Sequence, residues 1–306
     1  MYQLITLRRI IVFAVCVLGF QSLESQNQQI DLKINNDKFV LQDRYYTSGL
    51  HFSYRKILEN NFLFKQQEHQ KLQFNITLGN ETYTPSNLFS FNVNDFDRPY
   101  AGWLFLAAEL AKIKSKSALF LSVESGVTGE ASLSGKLQNA FHELLNIEIP
   151  TWQDEIAFKW LLNLKLKQVY DFPLGKNVSI QNHTAFSLGS KDVYAKNDVF
   201  LFFGKFSKLQ NSYRLNALDT ASSKEFFCFV GGGYKYVALN TLIQGSPFKD
   251  KDPFTTIAEP HVFSLQAGSV LRTKKHLFKL EFNYNTKETP LSESHIYGAL
   301  TFGFIF

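Results

Sequence analysis

The sequence predicts an all-β chain: a twelve-stranded antiparallel transmembrane β-barrel with a short helix in one exterior loop. Three observations carry that expectation. Apolar and polar residues alternate in run after run from residue 30 to the end. Most of the runs are about ten residues or longer, which suits tilted strands that cross a bilayer. The chain closes on Leu300, Phe302, Phe304 and Phe306 at alternate positions, the terminal aromatic pattern of bacterial outer-membrane barrels.

The first 25 residues read as a secretory signal. Arg8 and Arg9 precede an apolar run over 10–20, and the small residue Ser25 precedes a polar Gln26-Asn27 start. Eleven apolar residues are too few to span a bilayer as a helix. Cys16 falls inside that run, so residues 26–306 hold the single cysteine Cys228 and can form no internal disulfide. The remainder is one domain, 26–306, exported to and integral in the outer membrane.

Twelve runs follow in order: 30–35, 48–55, 72–78, 100–112, 118–127, 156–167, 178–188, 193–206, 226–237, 261–271, 278–284 and 294–306. The sixth shows the pattern best. Ile156, Phe158, Trp160, Leu162, Leu164 and Leu166 alternate with residues that include Lys159, Asn163, Lys165 and Lys167. Successive side chains of a strand point to opposite faces, so one face is built for lipid and the other for a polar lumen. The 31 Phe residues and a mean hydropathy of only −0.13 agree with such interleaving. A soluble sandwich also alternates, but closure into a barrel removes the exposed edges that so many strands would otherwise leave.

With both termini in the periplasm, the connections after odd-numbered strands face outward. They include 36–46, 83–99, 128–153 and 240–260, mostly long, as exterior loops are. The stretch 208–223 falls on the periplasmic side, and alternation gives no reason for its length. The net charge of +5 is spread without a block of like charges, which gives no footprint for nucleic acid.

Only 135–147 breaks the alternation. Leu137, Ala140, Phe141, Leu144 and Leu145 recur at helical spacing, and Gln138 and His142 stand four apart on one face. Asn36 and Asp37 end the first strand and Thr47 begins the second, all at the exterior rim. An acid, an amide and a hydroxyl supply oxygen ligands for a hard cation such as Ca2+, and a neutral His beside them suits a general base. The plainer reading is that Asn36 and Asp37 are turn formers and His142 a packing residue.

Ordered motifs run from residue 36 to 154: Asn36-Asp37, Asp43-Arg44-Tyr45-Tyr46-Thr47-Ser48-Gly49, Tyr83-Thr84-Pro85, Asp97-Arg98-Pro99-Tyr100-Ala101-Gly102-Trp103, Gly126-Val127-Thr128-Gly129, Gln138-Asn139-Ala140-Phe141-His142 and Trp152-Gln153-Asp154. Together they resemble the LpxR-type lipid A deacylases of bacterial outer membranes. The C-terminal half agrees in strand pattern and terminal Phe. The resemblance implies calcium-dependent removal of the 3′-linked acyloxyacyl group of lipid A, the lipid of lipopolysaccharide, by a monomer. His142, Gln138 and Thr47 then hold the catalytic positions, and Asp37 and Asn36 those around the metal. Loop 86–95 lacks the basic pair that relatives use for phosphate, so Arg98 is the nearest candidate for the headgroup, and Ile149 stands where relatives have a Tyr.

Two other readings follow from the residues. His51 and Ser53 share a lumenal face and suggest a serine hydrolase, which would form an acyl-enzyme and need no calcium. Alternatively, the lumenal charges Lys159, Lys165, Lys167, Glu124 and Glu281 suit a non-catalytic barrel, either a narrow pore or a surface-interaction protein.

Overall fold

The computed structural model describes residues 27–59, 70–219, 223–248 and 252–306; the leader 1–25 and Cys16 lie outside the described residues. Twelve strands, each hydrogen-bonded antiparallel to the next, close into a barrel. They are β1 Gln28–Asn36, β2 Tyr45–Leu58, β3 Lys71–Thr84, β4 Ala101–Ile113, β5 Ser117–Val127 and β6 Trp160–Pro173. The second half is β7 Val178–Gly189, β8 Asp192–Lys205, β9 Glu225–Asn240, β10 His261–Arg272, β11 His276–Asn285 and β12 His295–Ile305. The seam joins β1 to β12, and Gln28 and Phe306 exchange backbone bonds of 3.0 and 2.9 Å. Closure leaves no sheet edge, which a bilayer requires because lipid offers backbone groups no hydrogen-bond partner.

Alternation sets the two faces. Leu50, Phe52, Leu78, Leu106, Leu164 and Phe186 project outward and are exposed, as lipid-facing residues are. The inward face carries charges in pairs: Lys33 lies 3.0 Å and Lys279 2.8 Å from Glu281, Lys165 lies 2.7 Å from Glu124, and Arg55 pairs with Asp31. Among the described residues no helix is long and apolar enough to cross a membrane.

The stretch 208–223 has a structural reason for its length. From Lys208 to Asp219 it folds back into the barrel, with two short 3-10 turns at Leu209–Asn211 and Tyr213–Leu215. Leu209, Leu215 and Ala217 pack against Ala111, Ile113, Ala118, Phe120 and Val169, and Tyr213 packs into a cluster with Phe200, Phe202, Phe227 and Phe229. Buried ion pairs fasten it: Arg214 to Asp171 at 2.9 Å, and Arg272 to Asp219 at 3.2 Å and to Glu225 at 3.1 Å. The segment therefore fills the terminal end of the lumen, where a narrow pore would need space.

The sixth strand starts later than the alternation predicts. Ile156 and Phe158 lie outside β6, because Asp252 from the β9–β10 connection accepts bonds from Ala157 N (2.9 Å) and Lys159 Nζ (2.5 Å). Ile156 turns into an apolar cluster with Trp103, Leu161 and Leu242 instead of facing lipid. The predicted helix is present as α1, Ser134–Leu145, and a single turn, α2, spans Thr241–Gln244.

Candidate active site

Helix α1 lies outside the barrel, against the outer wall of β3 and β4. Its polarity is inverted relative to a helix on a water-soluble core. Ser134, Gln138 and His142, spaced four apart, are buried against the wall, Leu144 (69% exposed) faces away from it, and Leu137 (50%) and Phe141 (40%) lie half exposed at the flank. Polar anchors seat the buried face. Asn80, on the outer face of β3, donates to Ser132 O at 2.7 Å and accepts from Ser134 Oγ at 3.2 Å. Gly102 permits the approach, because a Cβ there would come within 2.0 Å of Ser132 Oγ. The helix ends on left-handed Asn146, with Ile147 N donating to His142 O at 3.0 Å.

Facing α1 is the turn after β1. Asn36 caps a 3-10 turn over Asp37–Val40, its Oδ1 accepting from Lys38 N at 2.7 Å, so the turn-forming reading of Asn36 holds locally. Asp37 is fully buried. Its Oδ2 accepts from Arg44 N at 2.7 Å, while Oδ1 has no partner. Burial pushes the Asp37 carboxyl up to about 8, and nearby Asp43 adds to the rise. Thr47 sits where the β2–β3 register shifts between Tyr46 and Ser48. The extra residue of a bulge is re-aimed from the regular faces, and the buried Thr47 hydroxyl donates to Thr82 O at 3.4 Å.

These elements enclose a cavity of about 190 Å³ lined by Asn36, Asp37, Asp43, Thr47, Gln138 and His142, with Ile34, Leu50, Leu137 and Phe141 as apolar walls. His142 is 2% exposed, and its Nδ1 lies 2.5 Å from Glu148 O. A carbonyl only accepts, so Nδ1 carries a proton, and in the neutral ring Nε2 keeps its lone pair. Nε2 lies 3.7 Å from Asp43 Oδ2, and Asp43 also binds Lys38 Nζ at 2.7 Å. Asp43 is the residue that sequence reasoning left out of the site. Within its loop it resembles any solvated charge, and only the return of the chain beside Asp37 reveals it.

Five of the six predicted residues, Asn36, Asp37, Thr47, Gln138 and His142, thus line one cavity. Arg98 does not. It is buried in the rim connection before β4, 3.2 Å from Glu288 and 4.8 Å from the ring centre of Tyr83. The His51 and Ser53 pair does not meet either: Ser53 Oγ lies 2.9 Å from Thr77 Oγ1, and His51 Nε2 lies 3.4 Å from Asn35 and 3.5 Å from Tyr46.

Among the described residues no group of three or more His, Cys, Asp and Glu is placed to hold a metal. Asp37, Asp43, Asn36 and Thr47 instead bring two carboxylates, an amide and a hydroxyl to this cavity, an oxygen set that fits a hard cation completed by backbone carbonyls and water. The unpartnered, buried Asp37 Oδ1 is the atom such an ion would satisfy.

Comparison with known proteins places the chain. Residues 9–306 match the family model described as outer membrane protein LpxR. Among solved structures, LpxR from Salmonella typhimurium aligns with a TM-score of 0.72 at 20% identity, covering 91% of this chain and 100% of that one. The translocator domain of the autotransporter NalP from Neisseria meningitidis aligns with a TM-score of 0.46 at 9% identity, covering 100% of this chain and 96% of that one. No curated protein matches by sequence at a significant level. With a twelve-stranded closed barrel and a family match over nearly its whole length, the chain belongs to the LpxR family of outer membrane proteins.

Proposed function

We propose that this protein is a calcium-dependent lipid A deacylase that hydrolyses the ester of the 3′-linked acyloxyacyl group in the outer leaflet. One observation carries the reading. The inverted helix holds His142 at the cavity that the buried Asp37 carboxyl also lines, with Leu137 and Phe141 as half-exposed apolar walls and Leu144 turned outward. A water-facing esterase has no use for a helix of that polarity. A lipid-facing one does, because its substrate's ester lies at the membrane surface and reaches the cavity along the wall.

His142 Nε2 accepts the proton of the attacking water as its oxygen adds to the ester carbonyl. The Nδ1–H bond to Glu148 O holds the ring in that tautomer and spreads the positive charge it gains. Collapse breaks the bond to the sugar oxygen, which takes the proton from His142 and becomes a hydroxyl, and the acyloxyacyl group leaves as its carboxylic acid. Asp37 and Asn36, with Thr47 and Asp43 beside them, would hold the calcium ion, which when bound polarises the carbonyl and offsets the oxyanion's charge. Gln138 and Thr47 border the same space and orient the ester. Burial disfavours the charged Asp37, and a cation beside it would favour that form.

The test is acyl release from lipid A in mixed micelles with chelator, then with calcium restored. Activity that disappears and returns supports the reading, and activity that persists in chelator contradicts it. A covalent acyl adduct in the intact-protein mass would favour a serine mechanism instead.

A further inference from the structure

Trp152 lines none of the cavity, yet its Nε1–H donates to Gln138 Oε1 at 2.9 Å. An indole nitrogen is a donor only, so the amide atom that meets it is the oxygen. This fixes the flip of Gln138. Its Nε2, with two N–H groups, is left over, and it makes no hydrogen bond with the described residues. Gln138 lines the cavity one turn before His142, so the donors belong to the space that a substrate oxygen would enter.

The indole is held by contacts separate from that bond. Trp152 has a left-handed backbone at φ 51°, its ring packs against Tyr100 at a tilt of 32° with centroids 5.1 Å apart, and Tyr100 OH donates to Leu88 O at 2.7 Å. Thr151 N also donates to Leu88 O at 3.0 Å, which ties this segment to the β3–β4 connection. On the helix side the ring packs on Gly135, where a Cβ would approach it to 2.9 Å. The exterior loops therefore set the indole's place, and the indole sets the amide.

We propose that Trp152 is a positioning residue for ester hydrolysis, holding the Gln138 amide with its N–H groups toward the carbonyl oxygen that becomes negative as water attacks. The inference rests on the hydrolase reading. The two ends of a primary amide are nearly the same size, so without the indole the group flips and offers a lone pair to that charge. A preorganised donor to an oxyanion is worth about 10²–10³ in kcat, and freeing only its flip forfeits part of that, about tenfold.

The test compares lipid A hydrolysis by native protein, Trp152→Phe, Gln138→Ala and the double variant, with folding followed by heat-modifiable gel mobility. Trp152→Phe keeps the ring and removes the donor. It is expected to lower kcat about tenfold with KM within about twofold, and to cost nothing further in the Gln138→Ala background. Gln138→Glu, which keeps an oxygen for the indole but has no N–H, is expected to lose as much as Gln138→Ala. An equal loss from Trp152→Phe in both backgrounds, or a change in KM alone, overturns the proposal. A second readout needs no substrate. Gln138→Ala should move one of the three indole N–H resonances upfield in micelles, and three unchanged resonances overturn the proposal. A folded native protein that leaves lipid A intact defeats the hydrolase reading and this one together, whereas an active enzyme with equal losses defeats this one alone.

Discussion

Replacing Arg214 with Met should loosen the segment that fills the lumen. The Arg214 and Asp171 side chains are 3% and 2% exposed and pair at 2.9 Å. Removing one partner of a buried pair leaves an uncompensated charge and costs about 3–5 kcal/mol. Asp171 keeps two neutral donors, Ser179 Oγ at 2.6 Å and Gln181 Nε2 at 3.0 Å, which places the loss at the lower end, about 3 kcal/mol. The guanidinium also lies 4.0 Å above the Phe206 ring, a contact that the Met side chain partly replaces. A loss of that size raises the open population of the segment about a hundredfold. Two assays read it: the urea midpoint of unfolding in micelles, and conductance in planar bilayers. The native barrel should show no steady conductance, and Arg214→Met should show a lowered midpoint and intermittent openings. Adding Asp171→Asn should recover part of the midpoint, because the stranded charge is gone. A native barrel that conducts steadily, or an Arg214→Met protein with an unchanged midpoint, would refute the reasoning.

Three further outcomes are expected. Asp37→Asn should lower lipid A hydrolysis by about 10²-fold and abolish its response to added calcium, as a calcium titration of activity would show. Leu144→Glu removes an outward apolar contact worth about 1.5 kcal/mol, so KM for lipid A in vesicles should rise about tenfold while kcat holds. Burial, together with nearby Glu130, pushes the Glu155 carboxyl up to about 7. A raised carboxyl contributes stability that is fully present below about 4.5 and is lost as pH rises through about 7. The melting temperature should therefore fall between pH 5 and 8, and Glu155→Gln should flatten the fall; parallel curves would remove Glu155 as the cause.

Much of the barrel was legible because alternation is a local property. A strand such as β11 records both of its environments in successive residues, so Phe278, Leu280 and Phe282 identify the lipid face without knowledge of any neighbour. What alternation could not reveal depends on contacts between distant parts of the chain. The late start of β6 is set by Asp252, 95 residues beyond Ala157 in the chain. The inward fold of Lys208–Asp219 depends on Asp171, Arg272 and Gln73 from three separate strands. The site was legible residue by residue through its motifs and its helical break. The inverted seating of α1 was not, because an apolar stripe carries no mark of whether it will meet a protein core or lipid. Arg98 is the nearest basic residue in sequence, and the fold places it beside Glu288, outside the lining of the cavity.

The most direct test of the central claim is mass spectrometry of lipid A after incubation with the refolded barrel in calcium, comparing native protein with His142→Ala. Hydrolysis by an activated water predicts loss of the acyloxyacyl mass with the native protein and intact lipid A with a folded His142→Ala barrel. Intact lipid A with both, or equal deacylation by both, would contradict it.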